Sequence, residues 1–382
     1  MSGVPDLICF SCVPWDFIYH RPQHLMTRFA KHFRVIYVEP PAYGEGHPSY
    51  ELSYPKENII SVKLRLPAGL PEEQAANVQQ EKLAQFLNDL QVKHYVFWYY
   101  SPVALTFTNA FQPVLKVYDC MTEFPYAQDG IDVRALEDSL LRQADFVFTA
   151  GPSLHETRRS FNQNTYCLPG SVDIDHFYGA RYYHADPAEQ AKIPHPRIGF
   201  AGVIDDRIDF TLLKAVALRK PEWHLVLLGP IVGLKKSDLP ELSNLHFIEK
   251  KSYEELPGYI SGWNITMLPF AHTDATRFIN PLQATEFLAA GKPVIAAPVI
   301  DIIRTYGNRG LIQIAGTPEE FVRVANTHFT SRDKTEWNDH VAEFLSLNSW
   351  DKTWQRMMDM IWPRVRENMQ QEITTSNDKI YA

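Results

Sequence analysis

Residues 265–296 read ITMLPFAHTDATRFINPLQATEFLAAGKPVIA. Ile265–Leu268 is a short apolar run of the kind that forms a strand buried on both faces. A loop follows, from Pro269 through Arg277, and then Pro281 stands where a helix can begin and Gly291 where it ends. Proline in the first turn and glycine past the last are the ordinary punctuation of a helix. Pro293–Ala296 reads as a strand again. Strand, helix and strand in succession imply a mainly parallel, doubly wound sheet.

The same alternation extends in both directions. Upstream in this series, Arg197–Ala201, His224–Leu228 and Leu245–Ile248 read as strands, with helices expected at Thr211–Ala217, Tyr253–Ile260, Pro281–Ala290 and Glu319–Thr327. An earlier series has strands at Leu7–Cys12, Val35–Val38, Tyr95–Tyr99, Leu115–Tyr118 and Phe146–Ala150, and amphipathic spacing at Arg21–Phe33, Gln74–Leu90 and Val133–Gln143. Pro169–Pro196 is rich in Pro, Gly, His and charge and suits an interdomain connection. The fold class is therefore α/β, with two Rossmann-like domains facing a cleft. Residues 1–170 form the first domain, 171–348 the second and 349–382 a terminal helix, in which Trp350, Trp354, Met357, Met358 and Ile361 have helical spacing.

Composition excludes several classes. The chain has 382 residues, 45% apolar and 21% charged, too apolar for disorder and long enough for more than one core. A net charge of −8 argues against nucleic acid as a partner. Four cysteines are too few for a disulfide scaffold, and the C-x-x-C of Cys9 and Cys12 has no second pair or His cluster to complete a metal site. No leader is evident at the start, and no apolar run reaches the roughly 18 residues that a membrane span needs. A cytoplasmic protein is expected, with peripheral attachment to the inner face of a membrane left open.

Ligands of open parallel sheets bind beyond the carboxyl ends of the strands, where helix N-termini offer unpaired N–H groups. The helix starting at Pro281 would present the N–H groups of Leu282 and Gln283 to a phosphate. Glu286 lies four residues after Leu282 on the same face. A carboxylate beside a phosphate is repelled unless it meets a neutral part of the ligand, such as the hydroxyls of a ribose. An ordinary capped helix with a solvated Glu is the plain alternative.

Asn280 to Val294 resembles the donor-binding segment of retaining GT-B glycosyltransferases that use nucleotide-activated sugars. Leu168-Pro169-Gly170-Ser171-Val172-Asp173 with Phe177 is similar to that family's passage into the second domain. Ile198 to Gly202, followed by Arg207 and Asp209, is similar to the opening of its donor domain, and Ser349-Trp350 to the element that crosses back to the first. Trp15 to Leu25, Val38-Glu39-Pro40 and Tyr118 to Glu123 resemble the subgroup of teichuronic-acid and exopolysaccharide transferases.

The resemblance implies a nucleotide-sugar donor as substrate, a saccharide or lipid-linked acceptor, and no cofactor or metal. It implies donor contacts from Gly202, Arg207, Gly229, Tyr253, Arg277, Asn280, Pro281, Leu282, Gln283 and Glu286, with Arg207 as the cation on the departing diphosphate and Tyr253 stacked on the base; a surface salt bridge of Arg207 with Asp205, Asp206 or Asp209, and a core place for Tyr253 at a helix start, are the plain alternatives. Asp119, Glu123 and His24 are the catalytic candidates of the first domain, and Trp15 and Arg21 the acceptor-side or phosphate-side ones. The sequence departs from the family where the first acid of an E-x7-E pair would fall, at Phe278, where Gln283 replaces a common Lys, and in lacking the Lys that often follows the Arg. A nucleotide-sugar epimerase, or a non-catalytic module of the same fold, is the competing reading.

Overall fold

The computed structural model describes residues 3–124, 127–128, 131–183, 185–330 and 335–380, with the backbone alone for 127–128 and 372–380. The chain divides into two compact units. One comprises Met1–Ala150, Leu154–Leu168 and Asp351–Ala382, the other Gly151–Ser153 and Pro169–Trp350.

The first unit is built on an eight-stranded sheet. Its strands are β1 (Asp6–Phe10), β2 (Val35–Gly44), β3 (Ser49–Lys56), β4 (Ile59–Pro67), β5 (Tyr95–Tyr99), β6 (Leu115–Cys120), β9 (Phe146–Thr149) and β10 (Thr165–Cys167); β7 (Ala127–Gln128) and β8 (Ile131–Asp132) form a separate small ribbon. The order is β10-β9-β6-β5-β1-β2-β4-β3, parallel except for β3 on β4. β1 is central because Leu7, Ile8 and Cys9 are wholly buried, as a strand covered on both faces must be. The β3–β4 hairpin was not expected from the sequence. β3 is an exposed edge strand, and its polar residues carry no buried period to read.

Two buried ion pairs lie inside this unit. Arg21, at the start of the helix Arg21–Phe29, sends Nε to both Asp119 oxygens at 3.0 Å and Nη1 to the Leu168 carbonyl at 2.9 Å. Arg21 and Asp119 are 2% and 0% exposed, so the pair ties the helix after β1 to the end of β6 without solvent. Glu137 accepts from Arg158 (2.9 Å) and from the Tyr118 hydroxyl (2.9 Å) in a second such cluster. The terminal helix Trp350–Ile380 packs on this unit through Trp354 stacked on His32, the Arg28–Asp351 pair and Asn368 donating to the Val114 carbonyl.

The second unit has a six-stranded, all-parallel sheet: β11 (Arg197–Ala201), β12 (His224–Leu228), β13 (Leu245–Ile248), β14 (Ile265–Leu268), β15 (Val294–Ala296) and β16 (Gln313–Ile314), in the order β13-β12-β11-β14-β15-β16. Gly199 on β11 is required by packing. A Cβ there would lie 1.9 Å from the indole of the buried Trp263. It therefore serves the core.

Removing one member of a buried ion pair strands the other charge, at a cost of about 3–5 kcal/mol, whereas replacing both with apolar groups is often neutral. Thermal unfolding of Arg21→Ala is therefore expected to show a large destabilisation, and Arg21→Met with Asp119→Leu to recover most of it. A mild Arg21→Ala variant contradicts the structural role given to this pair.

Candidate active site

The carboxyl ends of β11, β12 and β14 are knitted together in the second unit. Gly202 N–H donates to the Leu228 carbonyl (2.9 Å), Ile204 N–H to the Pro230 carbonyl (2.9 Å), and Ala271 N–H to the Arg207 carbonyl (2.8 Å). Gly202 and Gly229 have φ of +158° and +150°. A Cβ on Gly229 would stand 1.8 Å from the Gly202 oxygen, and one on Gly202 would stand 2.5 Å from Nε2 of Gln283. The structure thus brings three of the expected donor residues, Gly202, Gly229 and Gln283, to one place. Only glycine allows so close a backbone approach.

The helix after β14 is shorter than expected. It runs Gln283–Ala289, because Pro281 and Leu282 form the turn before it, with Ala284 N–H donating to the Pro281 carbonyl (3.2 Å). Asn280 and Pro281 are buried in the approach to that turn. Asn280 is backed by Gly151, where a Cβ would lie 3.5 Å from the Asn280 Cβ and 2.4 Å from a carboxylate oxygen of Asp301. Asp301 is wholly buried and accepts from the Ser153 hydroxyl (2.5 Å) and N–H (3.2 Å). This support for the loop was missed, since a contact across 148 residues leaves no local pattern.

Glu286 faces inward, 9% exposed. Burial pushes its carboxyl up to about 8, so it is largely protonated at neutral pH. A neutral carboxyl does not repel a neighbouring phosphate. The electrostatic objection to an acid at this position is thereby removed.

The other candidates are placed differently. Arg207 forks onto Asp205, with Nε at 2.9 Å and Nη2 at 2.7 Å from one oxygen, while about a third of its side chain stays exposed. Arg277 is exposed in the loop before Asn280, its guanidinium 4.8 Å from the Phe278 ring centre. Tyr253 takes the core place that was one of its two readings. One face of its ring is stacked on His176 at 4.3 Å, and Phe177 meets it edge-on at 5.6 Å, so it packs against the core instead of offering that face to a base.

In the first unit, the expected catalytic role of Asp119 is corrected: the carboxylate is wholly buried on Arg21 and cannot also hold sugar hydroxyls, and Arg21 is committed to it. Glu123 lies 3.8 Å from Arg158 and 3.7 Å from Arg134, a loose ion pair. His24 is buried with Tyr19 edge-on at 4.7 Å. Trp15 packs edge-on against Tyr37 at 5.0 Å and is 6% exposed, which makes it a core residue and not a sugar platform. Cys9 and Cys12 are free thiols, and among the described residues no group of three or more His, Cys, Asp or Glu is placed to hold a metal ion. No helix among the described residues is long and apolar enough to cross a membrane.

No protein-family model matches the chain. Over 101 residues it is 33% identical to "Putative teichuronic acid biosynthesis glycosyltransferase TuaH" of Bacillus subtilis (strain 168), a match that spans 26% of this chain and 25% of that protein. Among solved structures it is similar to sucrose-phosphate synthase from Thermosynechococcus elongatus, with a TM-score of 0.71 and 17% identity over 94% of this chain and 98% of the other. It is similar also to "Trehalose-6-phosphate from E. coli bound with UDP-2-fluoro glucose" (TM-score 0.68, 12% identity, 94% and 99% covered). A third likeness is to the catalytic domain of starch synthase IV from Arabidopsis thaliana bound to ADP and acarbose (TM-score 0.66, 11% identity, 95% and 100% covered). The chain has the fold of these proteins, the GT-B fold of two Rossmann-like domains.

Proposed function

We propose that the protein is a glycosyltransferase that binds a nucleotide-sugar donor at the strand ends of its second unit and transfers the sugar, with retention, to a polysaccharide or lipid-linked acceptor. The observation that carries this reading is the buried, inward-facing Glu286, three residues along the chain from Gln283, which itself abuts Gly202 beside Gly229. Proteins of the same fold have been captured with UDP-2-fluoro glucose and with ADP and acarbose, and a trehalose-6-phosphate synthase of this fold is described as transferring with retention.

Departure of a nucleoside diphosphate builds negative charge on the β-phosphate, so hydrogen-bond donors and a cation are needed there. The N–H groups of Leu282 and Gln283 have no acceptor among the described residues. The Gln283 carboxamide and the exposed part of Arg207 complete the donor set in this reading. Asp205 holds the guanidinium in place and offsets part of its charge. Glu286 is assigned to the ribose hydroxyls, where a neutral carboxyl can both donate and accept.

A thermal-shift panel of UDP-, GDP-, ADP- and dTDP-sugars is expected to give one class a stabilisation of about 2–4 °C or more. Glu286→Ala should abolish it, and no response to any donor refutes the reading. Once the donor is known, Arg207→Ala is expected to lower turnover at least about tenfold; unchanged turnover removes Arg207 from the diphosphate site.

The pH dependence has a definite sign. The Glu286 pKa is raised on folding, so its contribution to stability is complete below the ordinary carboxylate range, and it is lost as pH rises to about 8. Glu286→Gln stays neutral throughout. The variant's melting temperature, relative to wild type, is therefore expected to climb between about pH 5 and pH 8; a difference that stays flat with pH contradicts the buried, protonated carboxyl.

A further inference from the structure

The turn 280–283 is backed by two glycines. A Cβ on Gly170 would lie 2.6 Å from Cδ2 of Leu282, and one on Gly151 would lie 2.4 Å from a carboxylate oxygen of Asp301 and 3.5 Å from the Asn280 Cβ. The Gly151 backbone is thus wedged between Asn280 and Asp301, where a larger residue would have to push one of them aside. Gly151–Ser153 belongs to the second unit although the chain on either side of it belongs to the first. Asp301, in the first turn of the helix Ile300–Thr305, fastens this short segment. Its Oδ1 accepts from the Ser153 hydroxyl at 2.5 Å and from the Ser153 N–H at 3.2 Å, and Gly151, Ser153 and Asp301 are all buried.

We propose that Asp301 is a positioning residue of the donor site: through Ser153 it holds the Gly151 backbone against Asn280, and so fixes where the turn 280–283 lays the Gln283 carboxamide against Gly202. This rests on the donor-site reading above and adds to it a residue that touches no ligand. A buried carboxylate is costly unless its oxygens accept hydrogen bonds, and an apolar side chain would fill the same space without that cost. What the carboxylate adds is direction. Two bonds from one residue set both the place and the orientation of the loop, as a ligand site needs from the groups behind it. The turn then passes this on. The ring of Pro281 fixes its own φ, the Pro281 carbonyl accepts from the Ala284 N–H (3.2 Å), and the Leu282 carbonyl accepts from the Thr285 hydroxyl (2.8 Å) and the Glu286 N–H (3.2 Å). Little slack is left between Asn280 and Glu286.

Titration calorimetry with UDP, GDP, ADP and dTDP, run well below the melting temperature of each protein, tests the assignment. Asp301→Ala is expected to weaken the preferred nucleotide about tenfold, and to speed hydrogen exchange at Ala284, Thr285 and Glu286 more than in β11 and β12. In Asp301→Asn the carboxamide oxygen can still accept both Ser153 bonds, so this variant should keep most of the affinity. Ser153→Ala should weaken the nucleotide on its own and add little in the Asp301→Ala background, because both changes remove the same contact. Should Asp301→Ala fail to fold, Ser153→Ala, which deletes one hydroxyl, carries the same test. A group that only stabilises the fold would lower the melting temperature and leave the affinity and the local exchange unchanged, and that result overturns the inference. A wild type that binds none of the four nucleotides removes the donor site and this role with it, whereas variants that bind as tightly as a binding wild type remove the role of Asp301 alone.

Discussion

No side chain can stand between Gly202 and Gly229. The backbone at the end of β11 passes so close to that at the end of β12 that a methyl group on Gly229 would fall 1.8 Å from a carbonyl oxygen. This steric constraint fixes what the carboxyl edge of the second sheet can be. It is a surface of peptide groups, with the Gln283 carboxamide laid against it, and the loops that follow are hydrogen-bonded to one another from Gly202 to Val232 and from Arg207 to Ala271.

Buried acids of this chain are held in different ways. Asp119 and Glu137 are buried with arginines and serve packing and orientation. Glu286 is buried with no ion pair among the described residues, and burial alone raises its proton affinity. Desolvation pushes both Asp119 and Glu286 up, but only at Asp119 does a neighbouring arginine pull the other way. That contrast, more than any single distance, separates the acid assigned to function from those assigned to structure.

Much of the fold was legible because parallel strands are apolar along their whole length. β11, β12, β13 and β14 have the ends that the sequence suggests. The helix after β14 was placed two residues early, since proline favours both a helical first turn and the turn preceding it, and the spacing does not distinguish them. β3 was invisible for lack of a buried period. The places of Gly202 and Gly229 at strand ends and of Glu286 on the helix after β14 were readable from position alone. The fate of Asp119, Trp15 and Tyr253 was not, because each depends on a partner away in sequence: Arg21 is 98 residues from Asp119, Tyr37 22 from Trp15, and His176 77 from Tyr253.

A crystal structure of the protein with the nucleoside diphosphate of its preferred donor tests the central claim most directly. The account predicts the diphosphate against Gly202, Gly229 and the N–H groups of Leu282 and Gln283, with the ribose hydroxyls on Glu286. A nucleotide bound elsewhere, or a Glu286 carboxyl that touches no part of it, would contradict the account.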